Sequence, residues 1–174
     1  MKRIASQLTF CSPLEILCRT VVEQDEYKVV TRLFSLDENN VESSQTLFFD
    51  GIISAEIISV KENMILSEKI ISDYKYIDVS GELPTVIIPS EKSLLLDFGT
   101  NSVEKINYKF KSLAPALTSF SAFDIIAACT YFPALVVGKT ASLSRNRNTR
   151  LLLWEGLDLV NKRITDYIRI REID

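Results

Sequence analysis

Histidine is absent from all 174 residues of this chain. It is the commonest metal ligand and the usual acid or base near neutral pH, so its absence removes the most direct route to metal-assisted hydrolysis. Cysteine is scarce. Cys11, Cys18 and Cys129 are odd in number and lack Cys-x-x-Cys spacing, which speaks against a disulfide framework or a cysteine zinc site. A nucleophilic cysteine would want a histidine base, so the three read as small buried apolar residues. A basic surplus is missing as well. Twenty Lys and Arg stand against 23 Asp and Glu, a net charge of −3, so no overall field draws the chain to phosphate backbones or anionic lipid. Neither nucleic acid nor a membrane is expected as a partner. Apolar runs such as Ile52-Ile53 and Val136-Val137 are broken within a few positions, far short of the ~20 residues that span a bilayer. Met1-Lys2-Arg3-Ile4-Ala5-Ser6-Gln7 has basic charge without an apolar stretch behind it, so no secretory signal is expected and a cytoplasmic location is the default. Also missing are a Gly-rich phosphate loop, a Gly-x-Ser-x-Gly elbow and a Cys/His cluster.

What is present describes a folded domain. Hydrophobic residues make up 47% and charged residues 25%, well away from the composition of disordered chains. The length suits one domain, 1–174, with about two thirds of its unfolded surface buried. Up to about Lys61 the pattern favours strands. Thr20-Val21-Val22-Glu23 and Tyr27-Lys28-Val29-Val30-Thr31-Arg32-Leu33-Phe34 are rich in β-branched and aromatic residues, with Gln24-Asp25-Glu26 as a hairpin loop. After the polar gap Asp37-Glu38-Asn39-Asn40, Thr46-Leu47-Phe48-Phe49 leads to Asp50-Gly51, a turn signal, and on into Ile52-Ile53-Ser54-Ala55-Glu56-Ile57-Ile58-Ser59-Val60. Residues 64–71 read as a short helix or loop. Tyr74-Lys75-Tyr76-Ile77-Asp78-Val79, Thr85-Val86-Ile87-Ile88 and Leu94-Leu95-Leu96-Asp97-Phe98 read as strands.

A helix is expected from Ser121. Asp124 three residues on resembles a capping arrangement, and Phe123, Ile126, Ala127 and Thr130 share a face, before Pro133 perturbs the helix and Gly138 closes it. At the end, Leu153, Leu157, Val160, Ile164 and Ile168 fit a helical template, but Tyr167-Ile168-Arg169-Ile170-Arg171 alternates and Gly156 weakens a helix, which favours two strands, 150–154 and 164–173.

Four segments, in order, resemble the amidohydrolase superfamily of the cytosine and guanine deaminase kind. Phe49-Asp50-Gly51-Ile52-Ile53-Ser54-Ala55-Glu56-Ile57-Ile58-Ser59-Val60-Lys61-Glu62-Asn63 is similar to the entry strand that leads to a metal-binding His-x-His; Lys61 and Asn63 stand at the histidine positions. Asp97-Phe98-Gly99-Thr100-Asn101-Ser102 resembles the last barrel strand with its Gly-Thr-Asp-Ser run, and Asn101 stands where an aspartate binds metal and takes protons. Ile125-Ile126-Ala127-Ala128-Cys129-Thr130-Tyr131-Phe132-Pro133-Ala134-Leu135-Val136-Val137-Gly138 is similar to the final helix, and Arg150-Leu151-Leu152-Leu153-Trp154 to the closing strand. About half of the chain is covered. The resemblance implies an α+β, mainly β fold: a β-sandwich like the composite accessory domain of metal-dependent hydrolases, with one packed helix around 121–136. Sandwich strands would occupy 1–63, a barrel remnant or extra strands 64–110, and the helix and closing strands 111–174. A full barrel of ~250 residues does not fit in the interval between Asn63 and Asp97.

An amide cannot replace a carboxylate as anionic ligand or base, so the resemblance implies a shape kept and a chemistry removed, with no catalytic residue, metal or cofactor. The expectation is a non-catalytic interaction or structural subunit. It would be a homodimer or pair with another protein chain, because apolar residues such as Ile52, Ile57, Leu135, Val136, Val137 and Trp154 have lost the barrel that covers them. Two alternatives remain open: a diverged hydrolase acting on carbon–nitrogen non-peptide bonds with ligands from another chain, and a small-molecule-binding module near Asn101 and Lys61. Plainer readings exist for the pieces. Gly-Thr-Asn-Ser is a common turn, so Asn101 fits a hairpin loop between strands 94–98 and 103–110, and Lys61-Glu62-Asn63 fits a solvated strand end. Lys139, Arg145, Arg147 and Arg150, among Ser142, Ser144, Asn146 and Asn148, suit a phosphate or a solvated loop. Asp25, Glu26, Glu56, Asp78 and Asp97 leave a carboxylate-only metal or glycosidase site open.

Overall fold

The β-branched and aromatic runs near the start form strands in the computed structural model, which describes residues 1–37, 45–63, 73–81, 85–87 and 93–174. These are β1 (Lys2–Ser12), β2 (Glu15–Gln24), β3 (Val30–Ser35) and β4 (Thr46–Ala55). A short helix α1 (Val60–Asn63) follows, then β5 (Lys75–Asp78), β6 (Thr85–Ile87) and β7 (Leu94–Asp97). Next come α2 (Val103–Leu113), a 3-10 turn (Ala114–Leu117), α3 (Ala122–Cys129) and α4 (Tyr131–Val136). The hairpin β8 (Leu151–Asp158) and β9 (Arg163–Glu172) closes the sequence of elements. The fold is α+β and mainly β.

Strands from both ends of the chain share one mixed sheet, ordered β3-β2-β1-β4-β8-β9, with β4 parallel to β1 and antiparallel to β8. Leu151-Leu152-Leu153-Trp154 reads as a continuous apolar run because both faces of β8 are covered. Leu152 and Trp154 face one cluster with Ile106, Phe110, Ile125 and Ile126 of α2 and α3, whereas Leu151 and Leu153 face another with Ile4, Val22 and Ile53. Trp154 is fully buried, its indole N–H donates to Ser54 Oγ at 2.8 Å, and the Phe110 ring meets its edge-on. A second sheet, β6-β5-β7, has β5 and β7 parallel and lies against α3, with Ile77, Leu94 and Leu96 in the Trp154 cluster.

Several expectations need correction. Asp50-Gly51 is no turn: β4 runs through it, and Gly51 (φ +140°) lies where a Cβ would stand 2.3 Å from Trp154 O. Residues 103–110 are helical, not a strand. Ile106-Asn107-Tyr108-Lys109-Phe110-Lys111 alternates like a strand, yet Ile106, Phe110 and Leu113 are buried at helical spacing and Tyr108 is 81% exposed. The helix expected over 121–136 is two helices. Pro133 has no N–H for the Cys129 carbonyl, which instead accepts Ile58 N–H at 3.2 Å, and Thr130 takes a φ of −118°, away from the helical value, between the halves. Cys11 and Cys129 are buried as expected, but Cys18 is exposed. Ile52, Ile57 and Trp154 are buried under α2, α3 and the second sheet, so the face expected to be vacated is covered within the chain, and of the residues named for it Leu135 is exposed. The expectations for 64–71 and for Ile88 lie outside the described residues. Among the described residues no helix is long and apolar enough to cross a membrane.

Candidate functional site

Asp97 follows three leucines on β7 and is completely buried. A charged side chain in that position must be hydrogen-bonded or the fold loses several kcal/mol, roughly. Four donors meet its two oxygens. Oδ1 accepts Ser59 Oγ–H at 3.0 Å and Gly99 N–H at 2.9 Å; Oδ2 accepts Lys61 N–H at 2.8 Å and the Tyr76 hydroxyl at 3.3 Å. The turn after β7 makes this possible. Gly99 has φ +60°, and a Cβ there would lie 2.4 Å from Ser80 Cβ, so glycine allows the backbone to curl over the carboxylate and against the end of β5.

Asp78 is the register partner of Asp97 on the parallel strand β5. Its carboxylate takes the Lys61 ammonium and the Ser80 N–H, and Lys61 Nζ also reaches Ser80 Oγ at 2.8 Å. Burial pushes the Asp78 carboxyl up, but the hydrogen bonds from Lys61 and Ser80 outweigh it and hold it below the usual carboxylate range. Tyr76, two residues back on β5, is shifted the other way: burial and then the Asp97 and Asp78 charges raise its hydroxyl, keeping it a neutral donor.

Lys61 and Asn101 are therefore brought to one place, at the ends of β5 and β7. Lys61 contributes its backbone N–H to Asp97 and its ammonium to Asp78, while Asn101 Oδ1 accepts Ser59 N–H at 3.1 Å. Asn63 closes α1, and its side chain lies outside the described residues. Lys61 is not a solvated strand end, and Asn101 sits in the turn between β7 and α2 rather than in a hairpin. The residues at these positions do not suit a metal. One is an ammonium, one an amide oxygen engaged by a backbone N–H, and the neighbouring Asp97 has its lone pairs directed at protein donors. Among the described residues no group of three or more His, Cys, Asp or Glu is placed to hold a metal ion.

The basic run does not form a phosphate site. Arg147 is buried and donates to Ala141 O, Arg150 pairs with Glu56 at 3.2 Å and Glu172 at 3.4 Å, and Arg145 is exposed apart from them. Asp25 is spent locally, accepting Tyr27 N–H and Val29 N–H at 2.9 Å each in the turn before β3. Ser59, Tyr76 and Ser80 escaped the sequence reading. The signal that could have found the centre is Asp97 itself, a carboxylate directly after Leu94-Leu95-Leu96. Comparison with protein-family models, curated proteins and solved structures finds no match.

Proposed function

We propose that this is a non-catalytic protein of amidohydrolase-like build, acting as an interaction or structural subunit. The six-stranded sheet corresponds in this reading to the accessory β-sandwich, since strands from both ends of the chain meet in it, and the parallel pair β5 and β7 to a barrel remnant. The observation that carries the reading is Asp97. A carboxylate with two protein donors on each oxygen is neither a vacant ligand nor a poised base; it ties residues 59–61 to the ends of β5 and β7. Purified protein should hold far less than one transition metal per chain and hydrolyse no cyclic amide or amine. Stoichiometric metal with turnover would overturn the reading.

The partner we propose is a second copy of the chain, in the cytoplasm. With Ile52, Ile57 and Trp154 covered, contact falls to other surface: Phe48 on β4 is 59% exposed, beside a cross-strand row of Ala5, Val21 and Phe34 that is itself buried. A C2 pair lets one such patch serve both subunits. Sedimentation equilibrium should give twice the 19.7 kDa chain mass, and Phe48→Glu should return the monomer. A monomeric wild type at micromolar concentration would contradict the dimer.

A further inference from the structure

Beside the Asp97 centre, on the other side of Ser80, lies an open cleft of about 750 Å³ between residues 79–81 and the C-terminal half of α2, lined by Ser80, Gly81, Tyr108, Lys109, Lys111 and Ser112. Its volume is that of a small-molecule site, within the ~300–1,000 Å³ typical of ligand clefts. The charged residues among its described lining are both lysines. Lys109 Nζ is held by two carbonyls, Ser80 O at 2.8 Å and Phe98 O at 3.2 Å, so its position is fixed while its charge meets no carboxylate among the described residues. Lys111 is exposed and makes no ion pair with a described residue, although Asp166 lines the adjoining hollow with it; Lys105, one turn before Lys109, and Glu104, one turn before Tyr108, lie outside the cleft lining. Asp78 at the rim is paired with Lys61. This positive pocket is local, because the whole chain carries −3. Tyr108, 81% exposed, adds a planar apolar surface, while the Ser80 and Ser112 hydroxyls donate within the protein, to Asp78 and to Lys109 O, and leave the lysines as the anion's partners.

We propose that this cleft binds a small organic anion, a carboxylate or phosphate ester whose charged end meets Lys109 and Lys111 and whose planar or apolar body lies on Tyr108. An ammonium anchored by neutral carbonyls retains its net charge, and an anion arriving there completes the pairing that the fold leaves undone. The proposal goes beyond the non-catalytic reading and does not depend on it: a binding site here needs no chemistry at Asp97.

The test is a titration of the full chain with citrate and, separately, with inorganic phosphate, followed by amide NMR at constant ionic strength. Saturable shifts confined to residues 80, 81 and 108–112 are expected, and whichever probe binds more tightly identifies the carboxylate or the phosphate class. Lys111→Glu, a surface change with no described partner to lose, should weaken binding by about tenfold or more through like-charge repulsion. Lys139→Glu, the same charge change on an exposed loop residue outside the cleft lining, should leave it unchanged. Shifts that never saturate, that scatter over the surface, or that respond equally to both substitutions would overturn the proposal.

Discussion

Cys18 and Cys11 occupy neighbouring stretches of one hairpin yet differ in chemistry, because Cys18 faces solvent while Cys11 is buried. Burial, and then the Glu15 charge, push the Cys11 thiol up to about 12, and burial alone raises Cys129. Ellman's reagent should therefore titrate one thiol in the native protein and all three after denaturation. Asp78 yields the corresponding prediction in acid. Its folded-state pKa is depressed, so its contribution is present above the unfolded value of about 4 and is lost as pH falls through the lower folded value. In Asp78→Asn, the fall in stability below about pH 4 should be shallower than in wild type, as read by urea midpoints across that range. At this scale the sequence was partly legible. Lys61 and Asn101, singled out from a motif-like register, bond to Asp97 and to Ser59 near the ends of β5 and β7, whereas Ser59, Tyr76 and Ser80 carry no local signature because their roles arise from strand pairing.

The start of helix α3 was legible to the residue, though its end was not. Ser121 Oγ accepts Asp124 N–H at 3.1 Å, and the Asp124 side chain accepts Ser121 N–H at 3.1 Å, a reciprocal capping box that four residues of sequence announce. Ser121→Ala should cost about 1 kcal/mol in a urea melt, and a loss below about 0.3 kcal/mol would mean the cap is idle. Helix α2 was misread for an equally specific reason: Tyr108 completes a false alternation with Ile106 and Phe110. The residue that settles its place is Asn107, whose amide donates to Ile170 O at 2.6 Å and accepts Ile170 N–H at 2.7 Å, satisfying the outer edge of β9 as a neighbouring strand would. The split at Thr130 depended on Ile58 N–H reaching the Cys129 carbonyl, a long-range bond that periodicity within the helix cannot reveal.

The whole molecule is organised by the return of the chain. β8 docks beside β4, so the Ile52 and Trp154 positions face each other across about a hundred residues of intervening chain, and α2, α3 and the second sheet cover the face that β4 and β8 create. The strand-rich ends and the closing pair of strands were readable from alternation and apolar runs. The covering was not, since a long-range packing partner leaves no trace in the composition of the face it covers. The Asp97 centre is the polar seam of this arrangement, joining residues 59–61 just after β4 to the ends of β5 and β7. If it is a structural tie, replacing it must weaken the fold; if it is a functional site held under strain, replacement should leave stability unchanged or raise it. Urea unfolding of Asp97→Asn separates the two. Its amide nitrogen cannot accept two of the four donors, and the expected loss is about 3 kcal/mol relative to wild type. A variant as stable as wild type within about 0.5 kcal/mol, or more stable, would contradict the structural role assigned to Asp97.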